Sequence, residues 1–398
     1  MIDVNNFIGA SDSEVLEAAF SNIGADRIIV IPPRSQITDT ERHYWLIDRA
    51  ILIPENTTVI LRNCRIKLSD KCRDNFFRTA NCGFGFPDPR KVSNIHIRGE
   101  GICVLEGADH PRATGDGAKL LSCPYPAGQK VTIPVPSYGT DAGNTEESQY
   151  GDWRNVGILF ANVENFSVEN IQLVRYHGWG ISFEACSHGV VRNITFHAAM
   201  HEEIDGTLQT FRNQDGVNLR NGCHHVLISD IFGETGDDVI ALTAHKGYNN
   251  LPGGSLRTTH VMHTDYTRRE ADIHDVIIRN VLAKSRECCM VRLLPSGTQI
   301  WNITIDGVVD TAEEPDRSNG AFVFGTRGNY GSSTQQELHH ITISNVISSG
   351  RIVFDVQGYW CDSVVSNVIN KNPNAPMFKC HHEDGMERIL TNNLLPSI

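Results

Sequence analysis

The sequence predicts an all-β protein wound as a right-handed parallel β-helix, a solenoid closed at its start by a short helix. Three observations lead there. A strand phrase recurs along the chain, its shortest spacings cluster near 22 residues, and the links between copies are too short for crossover helices. A repeat of 20-odd residues built from short strands fits a β-solenoid. A propeller blade needs about 40 residues or more, and the fixed leucine pattern of leucine-rich repeats is missing.

The elements follow in order. "SDSEVLEAAFSNIG" (11–24) has helical periodicity, with Ser11 or Ser13 as N-cap and Gly24 near the end. It is expected to plug the first coil, and residues 1–35 form the cap. "DRIIVIPP" (26–33) reads as a strand stopped by prolines. A loose copy of the phrase, "VSNIHIRGEGICVLEG", occupies 92–107. Residues 107–152, rich in Gly, Pro and polar residues, break the rhythm and read as a long loop insertion beside the solenoid; a linker between two domains is the rival. The clear copies are "FSVENIQL" (166–173), "VVRNITF" (190–196), "VLISDIF" (226–232), "VIIRNVL" (276–282), "ITIDGVV" (303–309), "ITISNVI" (341–347) and "SVVSNVI" (363–369). Apolar and polar residues alternate within each, as in strands. One slot holds Asn170, Asn193, Asp230, Asn280, Gly307, Asn345 and Asn367, at separations of 23, 37, 50, 27, 38 and 22. The longer gaps read as a coil plus an inserted loop. The asparagines either stack between coils with bonded amides or simply mark turns. The whole chain, 1–398, is then one domain of about eight to ten coils.

Composition narrows function. The formal charge of −12, with no basic run, argues against a nucleic-acid partner. No apolar stretch suits a membrane span, and no basic segment followed by an apolar one marks a signal peptide. A cytoplasmic location is expected; a signal trimmed from a precursor would make the protein secreted. Eleven cysteines, one adjacent pair (Cys288, Cys289) and no C-x-x-C read as free, mostly buried thiols. Nothing in the sequence fixes the oligomeric state.

"GETGDDVIAL" (233–242) sets two carboxylates, Asp237 and Asp238, before an apolar strand. Asp215, in "FRNQDGVNLRN" (211–221), precedes them by 22 and 23 residues, one minimal coil. Neighbouring coils lie about 4.8 Å apart, so three carboxylates should crowd one patch. A bend at Gly236 would let both members of the pair face outward. Crowded carboxylates split their pKa values, which suits a general acid and a general base acting on one bond. A calcium site or a solvated Asp-rich turn would show the same spacing.

"NQDG" (213–216), "TGDD" (235–238) and "MVRLL" (290–294) resemble the polygalacturonase family, glycoside hydrolase family 28, whose pattern runs Asn-Thr-Asp-Gly, Gly/Gln-Asp-Asp, Gly-His-Gly, Arg-Ile-Lys. "GWGISFEACSHGVVRNITF" (178–196) is similar to the preceding coil of that family. The resemblance covers roughly 150–350. It implies a right-handed β-helix and an inverting hydrolase of pectin-type or related plant oligosaccharides. Asp237 would be general acid, Asp215 and Asp238 would activate water, and no cofactor or metal is implied. Two departures stand out. Gly-His-Gly is absent, with His260 nearest by position and His263 an alternate. The family's lysine is replaced by Leu294, while Arg292 remains. The resemblance makes Arg292 a partner of the substrate carboxylate, and Lys246 in "TAHKGYNN" is a candidate replacement cation. Loss of the lysine points to a substrate other than plain polygalacturonate, and exo action on small fragments is expected. Trp179 and His177 are secondary candidates for sugar contact. "HEEID" (201–205) reads as a subsite loop or solvated charge, and the His pairs at 224–225 and 339–340 carry no mark of metal ligation. The rival classes are a β-helix lyase or epimerase with calcium at the Asp cluster and Arg292 as base, and a non-catalytic binding or spike protein.

Overall fold

The computed structural model describes residues 1–35, 42–72, 74–83, 86, 88–111, 153–211, 213–245, 259–263, 269–313, 320–327 and 330–395. The chain divides into two compact units, one of residues 1–182, 197–214 and 251–263, the other of 183–196, 215–250 and 264–398. Both are wound from parallel strands as right-handed β-helix.

In the first unit the helix Asp12–Ser21 begins at Ser11, whose hydroxyl accepts from Glu14 N, while Glu14 Oε2 accepts from Ala10 N. This reciprocal arrangement satisfies one amide that helix geometry leaves open, Glu14 N, and ties down the residue before the N-cap through Ala10 N. Val15, Leu16, Ala19 and Phe20 are buried, and the helix packs on strands Trp45–Ile47 and Ile51–Ile53. Asp12 and Ser13 accept the backbone N–H groups of Leu46 and Asp48, so the capping turn also closes the neighbouring strand end. Strands Ile2–Asp3, Ile28–Ile31, Thr57–Arg62, Val92–Glu100 and Val163–Val174 pair in parallel succession. A second wall consists of Ile51–Ile53, Phe77–Thr79 and Ile158–Ala161. The residue 107–152 insertion lies outside the described residues except for its first five positions.

In the second unit one wall runs Ser187–His197, His224–Thr235, Ile273–Ser285, Ile300–Asp310, Leu338–Ser348, Trp360–Asn370, Met386–Leu395. The other runs Val217–Arg220, Ile240–His245, Cys289–Ser296, Gly320–Phe324, Phe354–Val356, Phe378–Cys380. Register alone builds the core: Phe322, Phe354 and Phe378 occupy one slot of successive strands and stack at 5.0 and 5.1 Å. The long walls hold five strands in one unit and seven in the other, while the shorter wall is a ladder of ten strands, at the upper end of the eight to ten coils expected.

The recurring slot is a backbone feature. Asn170, Asn193, Asp230, Asn280, Gly307, Asn345 and Asn367 all have φ between 53° and 74°. Asn and Asp tolerate this left-handed region better than other side chains. The amides also stack as expected: Asn280 donates to Asp230 at 3.0 Å, and Asn367 to Asn345 at 3.2 Å. A second left-handed row lies five residues upstream, at Asn165, His188, His225, Asp275, Asn302, His340 and Asp362, with φ between 48° and 61°. Each long strand of the second unit therefore kinks twice. Among the described residues nine cysteines are buried, Cys380 is exposed, and all are free thiols.

Candidate active site

The site belongs to the second unit. Gly216 N donates to Asp238 O at 2.8 Å and Val217 N to Val239 O at 3.0 Å. These bonds set Val217 opposite Ile240, which aligns Asp215 with Asp238 on the next coil. The glycine of "NQDG" is required here, because a Cβ at position 216 would stand 2.4 Å from Val239 O. Asp237 occupies the bend before the strand. Its carbonyl accepts from Thr235 Oγ1 at 2.7 Å and Ser285 Oγ at 2.8 Å, and its Oδ1 accepts from Asp238 N at 3.0 Å. The bend therefore turns the twin carboxylates apart. Asp237 is half-buried, whereas Asp238 is 5% and Asp215 6% exposed, so the expectation that both of the pair face outward holds only for Asp237. One oxygen from each of the three lies within 4.8 Å of the others.

Arg292 lies on the following strand, in register with Ala241. Its Nε donates to Asp238 Oδ2 at 2.6 Å and its Nη2 to Cys288 Sγ at 2.6 Å. The Cys289 thiol donates to Asp238 Oδ1 at 3.0 Å. Asp238 is thus held on both oxygens, and Arg292 keeps Nη1 without a protein partner among the described residues. The sequence reading gave the two cysteines no role at the site; their adjacency, four and three positions before Arg292, was the available signal.

Electrostatics divides the trio. Burial first, then the facing carboxylates of Asp237 and Asp238, push Asp215 well above the usual carboxylate range, against a smaller pull from Arg292 and Asn218. Burial works to lower Arg292, but the charge of Asp238 and the two thiol sulfurs outweigh it, and its pKa is raised. The neighbouring Cys289 thiol works to lower Cys288, yet burial pushes Cys288 up to about 11. Burial also raises Cys289 well above its ordinary value, in keeping with its role as donor. The site thus combines a buried carboxyl whose pKa is pushed up, a carboxyl fixed by a guanidinium, and a third, half-buried carboxyl at the bend. The oxygen spacing would also admit a cation, which the neighbouring Arg292 charge opposes.

Lys246 lies outside the described residues. His260 belongs to the first unit and is 8% exposed. Leu294 is 2% exposed in the strand that carries Arg292. In the first unit Trp179 packs on the cluster of Cys82, Trp153 and Leu159. His177 and Arg175 both bond Glu202, so this acid of "HEEID" is tied into an ion-pair network rather than solvated.

Residues 141–280 match the family model described as Glycosyl hydrolases family 28. No curated protein matches the chain. Among solved structures, the chain resembles an exopolygalacturonase from Thermotoga maritima at 13% identity and TM-score 0.58, covering 98% of this chain and 91% of that one. An endo-xylogalacturonan hydrolase from Aspergillus tubingensis is similar at 12% identity and TM-score 0.53, covering 98% and 90%. PfbA, a surface adhesin of Streptococcus pneumoniae, is similar at 11% identity and TM-score 0.53, covering 95% and 82%. Exo enzyme, endo enzyme and adhesin share the winding, so the likeness carries the fold and leaves the chemistry to the site.

Proposed function

Because this polygalacturonase-like chain carries a family 28 glycosyl hydrolase segment over residues 141–280, we propose that it is an inverting, exo-acting glycoside hydrolase. Its substrates are pectin-type or related plant oligosaccharides that differ from plain polygalacturonate. The observation that carries the reading is the convergence of Asp215, Asp237 and Asp238 within 4.8 Å. Asp237 faces out of the bend and acts as general acid on the glycosidic oxygen. Asp215 and Asp238 activate the attacking water. As general acid Asp237 must carry a proton in the complex with substrate, whereas in the free site burial and the facing carboxylates raise Asp215. Asp237→Asn should lower hydrolysis at least about a hundredfold. Unchanged turnover in that variant would remove Asp237 as general acid, and no turnover by the parent on any pectic oligosaccharide tested would favour a non-catalytic sugar-binding protein.

Stereochemistry needs its own test. Carboxyl pairs stand roughly 6.5–9.5 Å apart in inverting enzymes and about 5 Å apart in retaining ones. The closest oxygens here are within 4.8 Å, on the retaining side. Inversion rests on the family resemblance and requires the third carboxylate, so that Asp215 and Asp238 hold the water together. Proton NMR of the first-formed anomer decides, and retention would overturn this part of the proposal.

The substrate argument rests on Leu294 and Arg292. A buried leucine stands where the family has lysine, and two guanidinium nitrogens of Arg292 are already engaged within the protein. Three N–H donors, two on Nη1 and one on Nη2, are left for sugar, but Asp238 already balances the charge, which favours a neutral residue or a different uronic-acid linkage at that subsite. A panel of neutral and acidic pectic oligosaccharides, assayed for reducing ends, tests the preference. A ladder of intermediate products would rule out exo action. A lyase using Arg292 as base is disfavoured, because the Asp238 charge holds that guanidinium protonated.

A further inference from the structure

We propose that His225, His274 and Asp275 form a binding site for a late first-row divalent metal ion, bridging two successive coils of the second unit. Strands His224–Thr235 and Ile273–Ser285 run parallel, with His224 opposite His274 and Val226 opposite Val276. His225 and Asp275 occupy equivalent left-handed positions, both at φ 55°, so their side chains leave the two coils at the same kink. One ligand atom from each of the three residues lies within 4.8 Å of the others. His225 Nε2 is 3.7 Å from Asp275 Oδ2, and His274 Nδ1 is 2.7 Å from the same oxygen. Tetrahedral zinc with bonds of roughly 2.0–2.2 Å places its ligand atoms about 3.4 Å apart, so small side-chain rotations close the set.

The stronger argument is that every ligand is oriented from behind. His225 Nδ1 lies 2.8 Å from His224 Nδ1. A proton between those nitrogens, carried by His225, leaves Nε2 with its lone pair toward Asp275. Asn302 Nδ2 donates to Asp275 Oδ1 at 3.0 Å, which leaves Oδ2, bonded to His274 Nδ1 at 2.7 Å, to take the ion as the proton between them is displaced. The His274 ring is clamped between His224, stacked at 4.9 Å and 4°, and Trp301, stacked at 4.6 Å and 17°. The hydrogen bonds behind His225 and Asp275 are of the kind that orient metal-ligating imidazoles and carboxylates, and stacking fixes the plane of the His274 ring. Two imidazoles and one carboxylate suit Zn2+, Cu2+, Ni2+ or Co2+ rather than Ca2+ or Mg2+. His225 is exposed and the other two are half-buried, so an ion can enter and keep a water as fourth ligand. The ion would join residues 50 positions apart in sequence, a stabilising staple between coils.

The test uses the full chain, stripped of metal with chelator. Titration calorimetry with Zn2+ should show one site per chain, and Zn2+ should raise the melting temperature. His225→Ala and Asp275→Asn, both at accessible kink positions, should each weaken binding at least tenfold and abolish the thermal shift. His340→Ala is the control. It removes a comparable exposed His pair, but the nearest kink carboxylate, Asp362, is bonded by Arg388 at 2.7 Å. It should bind Zn2+ as the parent does. Co2+ substitution should give the intense visible absorption of a tetrahedral site. Equal Zn2+ affinity in parent, His225→Ala and Asp275→Asn would overturn the proposal, as would loss of binding in His340→Ala alone.

Discussion

Replacing Arg292 with Met removes the cation from a carboxylate that is only 5% exposed. The side chain keeps similar length and packing, so the charge is the main loss. Asp238 then keeps the Cys289 thiol on Oδ1, but Oδ2 loses its 2.6 Å charge-assisted bond. Breaking a buried pair from one side costs about 3–5 kcal/mol, because the remaining charge is stranded. Arg292 is 17% exposed on its side chain, so water reaches the pair and the lower half of that range applies. Urea unfolding at pH 7 of the parent, Arg292→Met, Asp238→Asn and the double variant measures it. Asp238→Asn alone leaves a guanidinium beside a neutral amide and should cost less. The double variant should be more stable than Arg292→Met alone, giving a coupling of about 1–3 kcal/mol. A cost below about 1 kcal/mol for Arg292→Met, or additive effects, would refute the view that this pair holds the site together.

Asp215 titrates higher folded than unfolded, so its ionisation costs stability. The cost is absent below the unfolded value of about 3.9 and complete once pH exceeds the raised folded one. Asp215→Asn should therefore be inactive yet melt above the parent at pH 8, with the gap closing towards pH 4; equal melting at both pH values would remove the assigned burial effect. Asn345→Ala puts a Cβ-bearing, bond-less residue at φ 57° and should cost about 1–2 kcal/mol in thermal or urea unfolding, while Asn345→Gly should cost clearly less. Gly216→Ala forces a methyl against Val239 O and should separate the Asp215 and Asp238 coils. A shift near 1 Å costs about a hundredfold in turnover, measured on the substrate that the panel identifies.

What could be read from the sequence depended on whether local pattern or neighbour geometry decided the outcome. The helix cap was legible because Ser11 and Glu14 act within one turn. The asparagine row was legible because one residue type meets one backbone demand, positive φ. The row five residues upstream meets the same demand with Asn165, His188, Asp275 and even Arg388, and so shows no single letter to follow. The cross-coil convergence of His225, His274 and Asp275 was hidden for the same reason, together with a 50-residue gap that obscured the coil period.

Spacing placed Asp215 one coil from the Asp pair but left 22 and 23 equally open. The register chooses 23, through Gly216 N to Asp238 O. Alternation along a strand cannot say towards which neighbour a side chain leans, so the Arg292–Asp238 pair is not legible in the sequence, where Arg292 reads as a substrate contact or a lyase base. The twin carboxylates are tolerable because they do not share a fate. The bend fixed by Thr235 and Ser285 turns Asp237 outward, and the guanidinium two coils along from Asp215 balances Asp238. Among the described residues Asp215 has no such cation bonded to it, and burial therefore raises its pKa. One bend and one arginine thus convert three like charges into three chemically distinct groups.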